Sequence, residues 1–391
     1  MMSSASLSVK TPRKKAESLK GIALFSGGGG LDLGFEAVGI ESLIATDIDS
    51  HSCKTLEFAK GYCKDVGKPF FSKSQVLNAD ALTQLNPNVL LNSLGLKRGE
   101  VDVVIGGPPC QAFSVFGKRL GLEDPRAGLA FRYLDLISEI APKTFVFENV
   151  YGLLSIDDGR IFKTLVDRFR HPRRGLYYEI SVLRLDAVSY GVPQFRDRVF
   201  IVGNIERQTL TIPKEQCWDA RRSTSPAHEL KPWRTVEDAF RGLPEIGDPF
   251  VANHNGRKHS DRIITRYDSL SPGQRDHKTR INRLDLARPS FTIIVGSDKG
   301  GGKGHVHPTA PREVTPRESA RIQTFPDWWK FSGTSRHPIR QIGNAVPPLL
   351  AAVVANQIAH EFFGHRSVKY SELLELLDQG HLFGEVRSET N

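Results

Sequence analysis

Gly21-Ile22-Ala23-Leu24-Phe25-Ser26-Gly27-Gly28-Gly29-Gly30-Leu31-Asp32-Leu33-Gly34-Phe35 is the stretch that decides the fold. A short apolar run ends in four consecutive glycines, and Leu31, Phe35 and Val38 then recur at helical spacing. The pattern reads strand, glycine turn, helix. Glycines after a first strand let a ligand approach the backbone, and the following helix N-terminus favours negative charge. The turn is neither GxGxxG nor a P-loop, which needs GK[ST]. Alone it suits a nucleotide, another adenosine-bearing cofactor or tight packing.

Working outward, a second strand over Ser42 to Thr46 ends at Asp47-Ile48-Asp49. An acid at that point is where such folds hold a ribose hydroxyl. The other reading of Asp47 is a helix N-cap, for which Asp49 is better placed. Val101 to Ile105 ends at Gly106-Gly107-Pro108-Pro109-Cys110. A helix is expected near 131–140, and Thr144-Phe145-Val146-Phe147 ends at Glu148-Asn149. Val199 to Val202 reads as a last strand. Strands alternating with helices predict a parallel, doubly wound α/β sheet that binds ligands beyond its carboxyl edge.

Periodicity fades from Asn204 to about Thr315. Order returns at Thr315-Pro316-Arg317-Glu318, a capping box with proline at the first helical position. Leu349 to Phe363 forms a long apolar helix expected to return to the α/β domain, and 370–378 form one more amphipathic helix. The expected division is a disordered basic tail (1–19), a discontinuous catalytic domain (20–203 with 332–391) and a smaller irregular domain (204–331).

The chain has 391 residues, 39% of them apolar and 25% charged. No run approaches the ~18 apolar residues of a membrane span. Residues 1–20 lack the apolar core of a secretory signal. Four cysteines are too few for a disulfide scaffold and none has zinc spacing, so a metal-free protein of a reducing cytoplasm is expected. The net charge is +9. Residues 205–252 hold 7 basic and 8 acidic residues, whereas 253–288 hold 9 basic and 4 acidic. That second stretch reads either as a solvated loop region or as a phosphate-contacting surface.

Three groups carry the chemistry. Pro108 and Pro109 fix the backbone and present Cys110, an intrinsically strong nucleophile, beyond a strand end. Glu148 ends the neighbouring strand, and a closed apolar site would raise its pKa into the range of a proton donor. Arg196 and Arg198 alternate on an extended segment, two guanidinium groups suited to phosphate, carboxylate or carbonyl oxygen. Cys53, Cys63 and Cys217 read as small buried hydrophobes.

The order of these elements is more specific than any one of them. Phe25-Ser-Gly-Gly-Gly-Gly30, Asp47, Asn78-Ala79-Asp80, Gly107-Pro-Pro-Cys110-Gln-Ala-Phe-Ser114, Phe147-Glu-Asn149, Gln194-Phe-Arg-Asp-Arg198, Arg317-Glu318 with Arg321 to Pro326, and Gln341-Ile-Gly-Asn-Ala-Val-Pro347 follow one another. This sequence resembles the DNA (cytosine-5)-methyltransferase family over about residues 21–362, in the form of the prokaryotic modification enzymes. The resemblance implies a Rossmann-like S-adenosylmethionine-dependent domain with a smaller target-recognition domain. It implies that Phe25 stacks on the adenine, that Gly27, Gly29 and Gly30 pass the methionine moiety, and that Asp47 holds the ribose. Asp80 would meet the adenine amino group, and Asn344 and Val346 would close the site. Ser26, Ile48, Ala81 and Pro109 belong to the same cofactor-binding set. Cys110 becomes the nucleophile, Glu148 the acid, and Arg196 and Arg198 the active-site arginines.

The substrate implied is double-stranded DNA, from which the target base must be flipped. Gln111, Ser114, Lys118 and Arg119, on a closing loop over 111–128, and Arg257, Lys258 and Arg262 are the expected DNA contacts. A monomer suffices, in the cytoplasm with the nucleoid, no membrane is involved, and a cognate restriction endonuclease encoded nearby is an expected companion. Three departures stand out: Gly28 makes four glycines in a row, expected to loosen the turn; Asp47 replaces a common Glu; and Asn78-Ala79-Asp80 replaces a Gly-Asp start. The same fold acting on RNA, an inactive DNA-binding relative and a nicotinamide oxidoreductase are the competing readings. The last gives no role to Pro108-Pro109-Cys110.

Overall fold

Alternating side chains of a strand face opposite ways, and here both ways are buried. Ile22, Leu24, Ile44 and Val104 enter one apolar cluster, while Ala23, Ala45, Val103 and Ile105 enter the other. The computed structural model describes residues 18–81, 83–109, 128–219, 230–293, 304–334 and 336–383. Seven strands, β1 (Leu19–Leu24), β2 (Ile40–Asp47), β3 (Gln75–Asn78), β4 (Val103–Gly106), β5 (Thr144–Val150), β6 (Glu179–Asp186) and β7 (Asp197–Asn204), form one sheet in the order β3-β2-β1-β4-β5-β7-β6.

The first five neighbours in that order pair in parallel, as the alternation of strands and helices predicts. The parallel pairing does not extend to the other edge. β7 runs antiparallel to both β5 and β6, so the sheet is mixed. The cause is the connection: residues 187–196 fall short of the dozen or more that a parallel crossover needs.

Helices cover both faces: α1 (Gly30–Glu36), α2 (Ser50–Asp65), α3 (Pro87–Ser93), α4 (Gly128–Ile140) and α5 (Arg160–Arg170) in the first half of the chain. Asp49 caps α2, its carboxylate accepting from the amides of His51 and Ser52. After Asn204 come a short parallel pair, β8 (Cys217–Trp218) and β9 (Lys231–Pro232), then α6 (Val236–Phe240) and α7 (Asp261–Asp268). Tyr267, Leu270, Ile281 and Val306 make a small cluster of their own there. Val236, Ala239, Leu284, Ile293 and Val314 instead join the core on one side of the large sheet.

The last helices are α8 (Pro316–Ile322), α9 (Arg336–Asn344), α10 (Pro348–Phe363) and α11 (Tyr370–Leu376). Thr315 and Glu318 form the expected capping box on α8. α10 does return to the sheet. It lies so close to α1 that a Cβ on Gly34 would fall 2.4 Å from the Cβ of Ala351. Arg336–Phe363 is apolar enough by composition to cross a membrane, but 83% of its most apolar window is buried inside the fold, as befits a core helix. Cys53, Cys63 and Cys217 are buried and free, and burial pushes the Cys63 thiol up to about 12.

Candidate active site

The glycine turn lies at the carboxyl end of β1, and its packing corrects the expectation of looseness. Phe25 takes a left-handed backbone (φ 57) and Gly29 another (φ 78). The Gly27 amide donates to Asp47 Oδ2 at 2.8 Å, and the Trp329 indole donates to the Gly28 carbonyl at 3.1 Å. Ser26 Oγ donates to buried Asp32 at 2.7 Å. A Cβ on Gly30 would fall 2.1 Å from the Val346 carbonyl oxygen, and one on Gly28 2.9 Å from that of Gln341. The glycines are therefore needed for close approach to residues 341–346, and that contact holds them still.

Asp47 is fastened as well. Its second oxygen accepts from the Asp49 amide at 2.8 Å. Burial, its largest influence, raises its pKa against these two donors. The shorter acid thus ties the strand end to the glycine turn. Arg340 of α9 donates to Asp49, which links that helix to the same corner. Asp80 opens a turn in which Thr83 Oγ1 donates to its carboxylate at 2.9 Å.

A cavity of about 840 Å³ opens beside this corner. Phe25, Asp47, Ile48, Asp80, Ala81 and Pro109 line it, as do Ser26, Gly27, Gly30, Asn344 and Val346. Ile48 is 69% exposed, a large apolar side chain held out at the wall of the cavity. Of the residues expected at the cofactor site, Gly29 alone is turned away, packed against Trp329 and Leu56.

The same cavity continues to Glu148, Arg196 and Arg198. β5 carries Glu148 and β7 carries Arg198, brought together by the antiparallel pairing of these strands. Arg198 Nε lies 2.8 Å from Glu148 Oε1, an ion pair by distance whose N–H is off line for a hydrogen bond. Burial raises the Glu148 pKa, and Arg198 and then Arg196 pull it back. Both partners are buried, so the acid sits in a region where its neutral form is favoured. A Cβ on Gly107 would lie 2.6 Å from Glu148 Oε2, so this glycine makes room for the carboxyl group.

Arg196 faces the other wall. Its Nη2 donates to the carbonyls of Gly343 at 2.7 Å and Ala345 at 2.8 Å, flanking Asn344. Its Nε and Nη1 are buried with no partner among the described residues. Asn149 Nδ2 donates to the Pro108 carbonyl at 3.2 Å and so fixes the turn that leads to Cys110. Cys110 itself, with Gln111, Ser114, Lys118 and Arg119, lies outside the described residues.

Of the expected DNA contacts, Lys258 and Arg262 are exposed and Arg257 reaches Glu313 at 3.9 Å. The basic stretch is not one surface, however. Arg283 is buried and donates to the carbonyls of Pro308, Tyr267, Asp268 and Leu270, so it holds loops together. Arg266 pairs with Asp276 at 3.5 Å. Among the described residues no group of three or more His, Cys, Asp or Glu side chains could hold a metal ion.

Asn149, Gly107 and Gln194 stand in the ordered motifs, but residue spacing did not reveal what each of them touches. Gln194 donates to Gln323 at 3.0 Å and accepts from the Ile293 amide at 2.9 Å, joining the segment before Arg196 to two distant loops. No periodic signal marks such a contact.

Residues 19–360 match the family model of the C-5 cytosine-specific DNA methylases. The chain belongs to that family. It is accordingly a DNA (cytosine-5)-methyltransferase, and methyltransferases of this family imply the use of S-adenosylmethionine. A Type II methyltransferase, M.XorII of Xanthomonas oryzae pv. oryzae, is 32% identical over 92% of this chain and 88% of its own. Another, M1.HphI of Haemophilus parahaemolyticus, is 31% identical over 87% of each. Among solved structures, a protein described as a DNA modification methyltransferase encoded within an E. coli prophage aligns with a TM-score of 0.69 and 28% identity, covering 88% of this chain and all of that one. The S. pombe Dnmt2 methyltransferase shares the fold at 15% identity and a TM-score of 0.57.

Proposed function

We propose that the chain methylates C5 of a flipped-out cytosine in a specific double-stranded DNA sequence, as the modification enzyme of a Type II restriction–modification system. The observation that carries this reading is Glu148, a buried acid ion-paired with Arg198 at 2.8 Å beside the turn that leads to Cys110. The cavity fits the cofactor. Its volume of about 840 Å³ accommodates a nucleoside with its tail, and exposed Ile48 offers an apolar surface beside Asp47 and Asp80. Buried Arg196 retains two nitrogens, Nε and Nη1, without a partner among the described residues, at the junction between the cofactor side and the base side.

Bound S-adenosylmethionine supplies an electrophilic methyl group. The chain's own residues make cytosine able to take it. The Cys110 thiolate adds to C6, and Glu148 donates a proton or hydrogen bond to N3, so electron density reaches C5. A raised pKa suits Glu148 to that step. Arg198 holds both Glu148 and the base oxygen O2. Once C5 is methylated, a base removes the C5 proton and Cys110 leaves. Arg196 acts as a positioning residue, keeping the Asn344 loop against the cavity. The chain works as a monomer; a cognate endonuclease is encoded nearby, without direct contact.

Mapping 5-methylcytosine at base resolution in DNA from cells expressing the chain tests this reading. Methylation at one short sequence, abolished in C110A, is the expected result. A folded, expressed chain that methylates no DNA would overturn it.

A further inference from the structure

The far end of the sheet carries a second basic site. β7 leads from Arg198, beside Glu148, to Asn204, which pairs with Glu179 of β6. Those six residues at ~3.3 Å each place the far edge about 20 Å from the catalytic cavity. There the α5–β6 connection turns tightly: the Leu176 amide donates to the Arg173 carbonyl at 3.1 Å, and Gly175 takes φ 81. The turn holds Arg173 and Arg174 out into solvent. Arg207 follows β7 in a left-handed conformation, φ 60, that arginine rarely adopts.

These side chains converge. A depression of about 440 Å³ is lined by His171, Arg173, Arg174, Tyr177 and Arg207, with Leu176 beneath. The Arg207 guanidinium sits over the Tyr177 ring at 5.2 Å, and the His171 ring flanks Tyr177 at 5.2 Å. Of the acids nearby, Glu179 accepts from the Tyr177 hydroxyl at 2.8 Å, Asp167 lies 3.6 Å from Arg170, and exposed Glu206, though next to Arg207 in the chain, makes no ion pair with it. Arg173, Arg174 and Arg207 have no anionic partner among the described residues. Three like charges gathered without a counter-charge repel one another, and a bound anion relieves that repulsion. Guanidinium forks match phosphate oxygens in pairs.

We infer that this depression binds the backbone phosphates of a second DNA segment, distinct from the one that delivers cytosine to the cavity. The assignment rests on DNA being the substrate. A duplex carries one negative charge per ~1.7 Å of its axis, so a segment laid across the depression meets all three arginines at once. The shallow, open form suits a backbone passing over it. The catalytic cavity lies at the other end of the sheet with the fold between them, so a straight duplex seated at one does not pass over the other. Such a second handle lets the enzyme take hold of a new DNA segment before releasing the old one.

The test is the stoichiometry of the full chain with a short duplex that carries one target sequence. The wild type is expected to bind two duplexes. R173A/R174A/R207A is expected to bind one, to lose a salt slope of about 2–3 from the second event, and to keep its single-turnover methylation rate. R173K/R174K/R207K restores much of the second event, which separates charge from folding. A wild type that binds one duplex, or a triple variant that still binds two, overturns the inference. So does inorganic phosphate occupying the depression while a second duplex does not, because the site then serves a free phosphate. A wild type that methylates no DNA defeats the proposed function instead, whatever the stoichiometry.

Discussion

Residues 19–47 and residues 204–331 are held together by different means. In the first, apolar side chains alternate on strands and every residue of α1 is buried. In the second, short elements are joined by long polar side chains that reach backbone carbonyls. Arg283 serves four such carbonyls. Arg317, fully buried, donates to the carbonyls of Ala252, Pro326 and Trp329. Arg321 adds the Arg241 carbonyl and a bidentate pair with Asp327. The first kind of order has a period and the second has none. A region built the second way can keep irregular loops without a large core beneath them.

Breaking one wire should therefore do more harm in the second region than its poor periodicity suggests. R317M is expected to destabilise the protein by about 3–5 kcal/mol, because it leaves buried carbonyls unpaired. Chemical denaturation measures this; a loss under ~1 kcal/mol would show that the arginines are incidental.

The periodic region has its own polar weak point. Burial pushes the pKa of Asp32 from 3.8 up to about 7, despite the hydrogen bond from Ser26. A raised acid stabilises the fold fully below its unfolded pKa, and that contribution disappears as pH rises through the folded value. Thermal stability is expected to fall between about pH 4 and pH 7. D32N, which still accepts from Ser26, should flatten that decline. An unchanged profile would assign the slope to another group.

The smallest effect separates structural from surface cations within the second region. R257A/K258A/R262A should reduce the salt slope of DNA binding by about 2, less than three full contacts because Arg257 already lies near Glu313. Its stability should be unchanged. R283A should instead destabilise the fold. If the triple variant keeps the full slope, DNA passes elsewhere.

What could be read from the sequence divides along the same line. The β1–turn–α1 unit, the Asp49 cap, the Thr315 capping box and the return of α10 follow from local pattern. β3 escaped notice because it is short and half exposed. β6 escaped too, and without it the direction of β7 could not be inferred. Glu148 and Arg198 could be named from motif order, but their contact depends on that antiparallel pairing. Asn149 holding Pro108, and Arg196 reaching Gly343 and Ala345, join residues far apart in the chain, and no spacing encodes them. The same holds for Arg283, whose charge looked like surface until its four carbonyl partners were seen.

The glycine turn is clamped by residues 341–346. During synthesis the turn emerges early, and its clamp follows roughly 300 residues later, about 15–60 s at ~5–20 residues per second. For that interval the nascent chain carries its first strand and helix with one wall of the cavity missing. Completion of the site thus waits for residues 341–346, and fragments that stop before them lack the wall altogether. A partial copy of the chain therefore carries an open corner where the finished fold has a walled cavity.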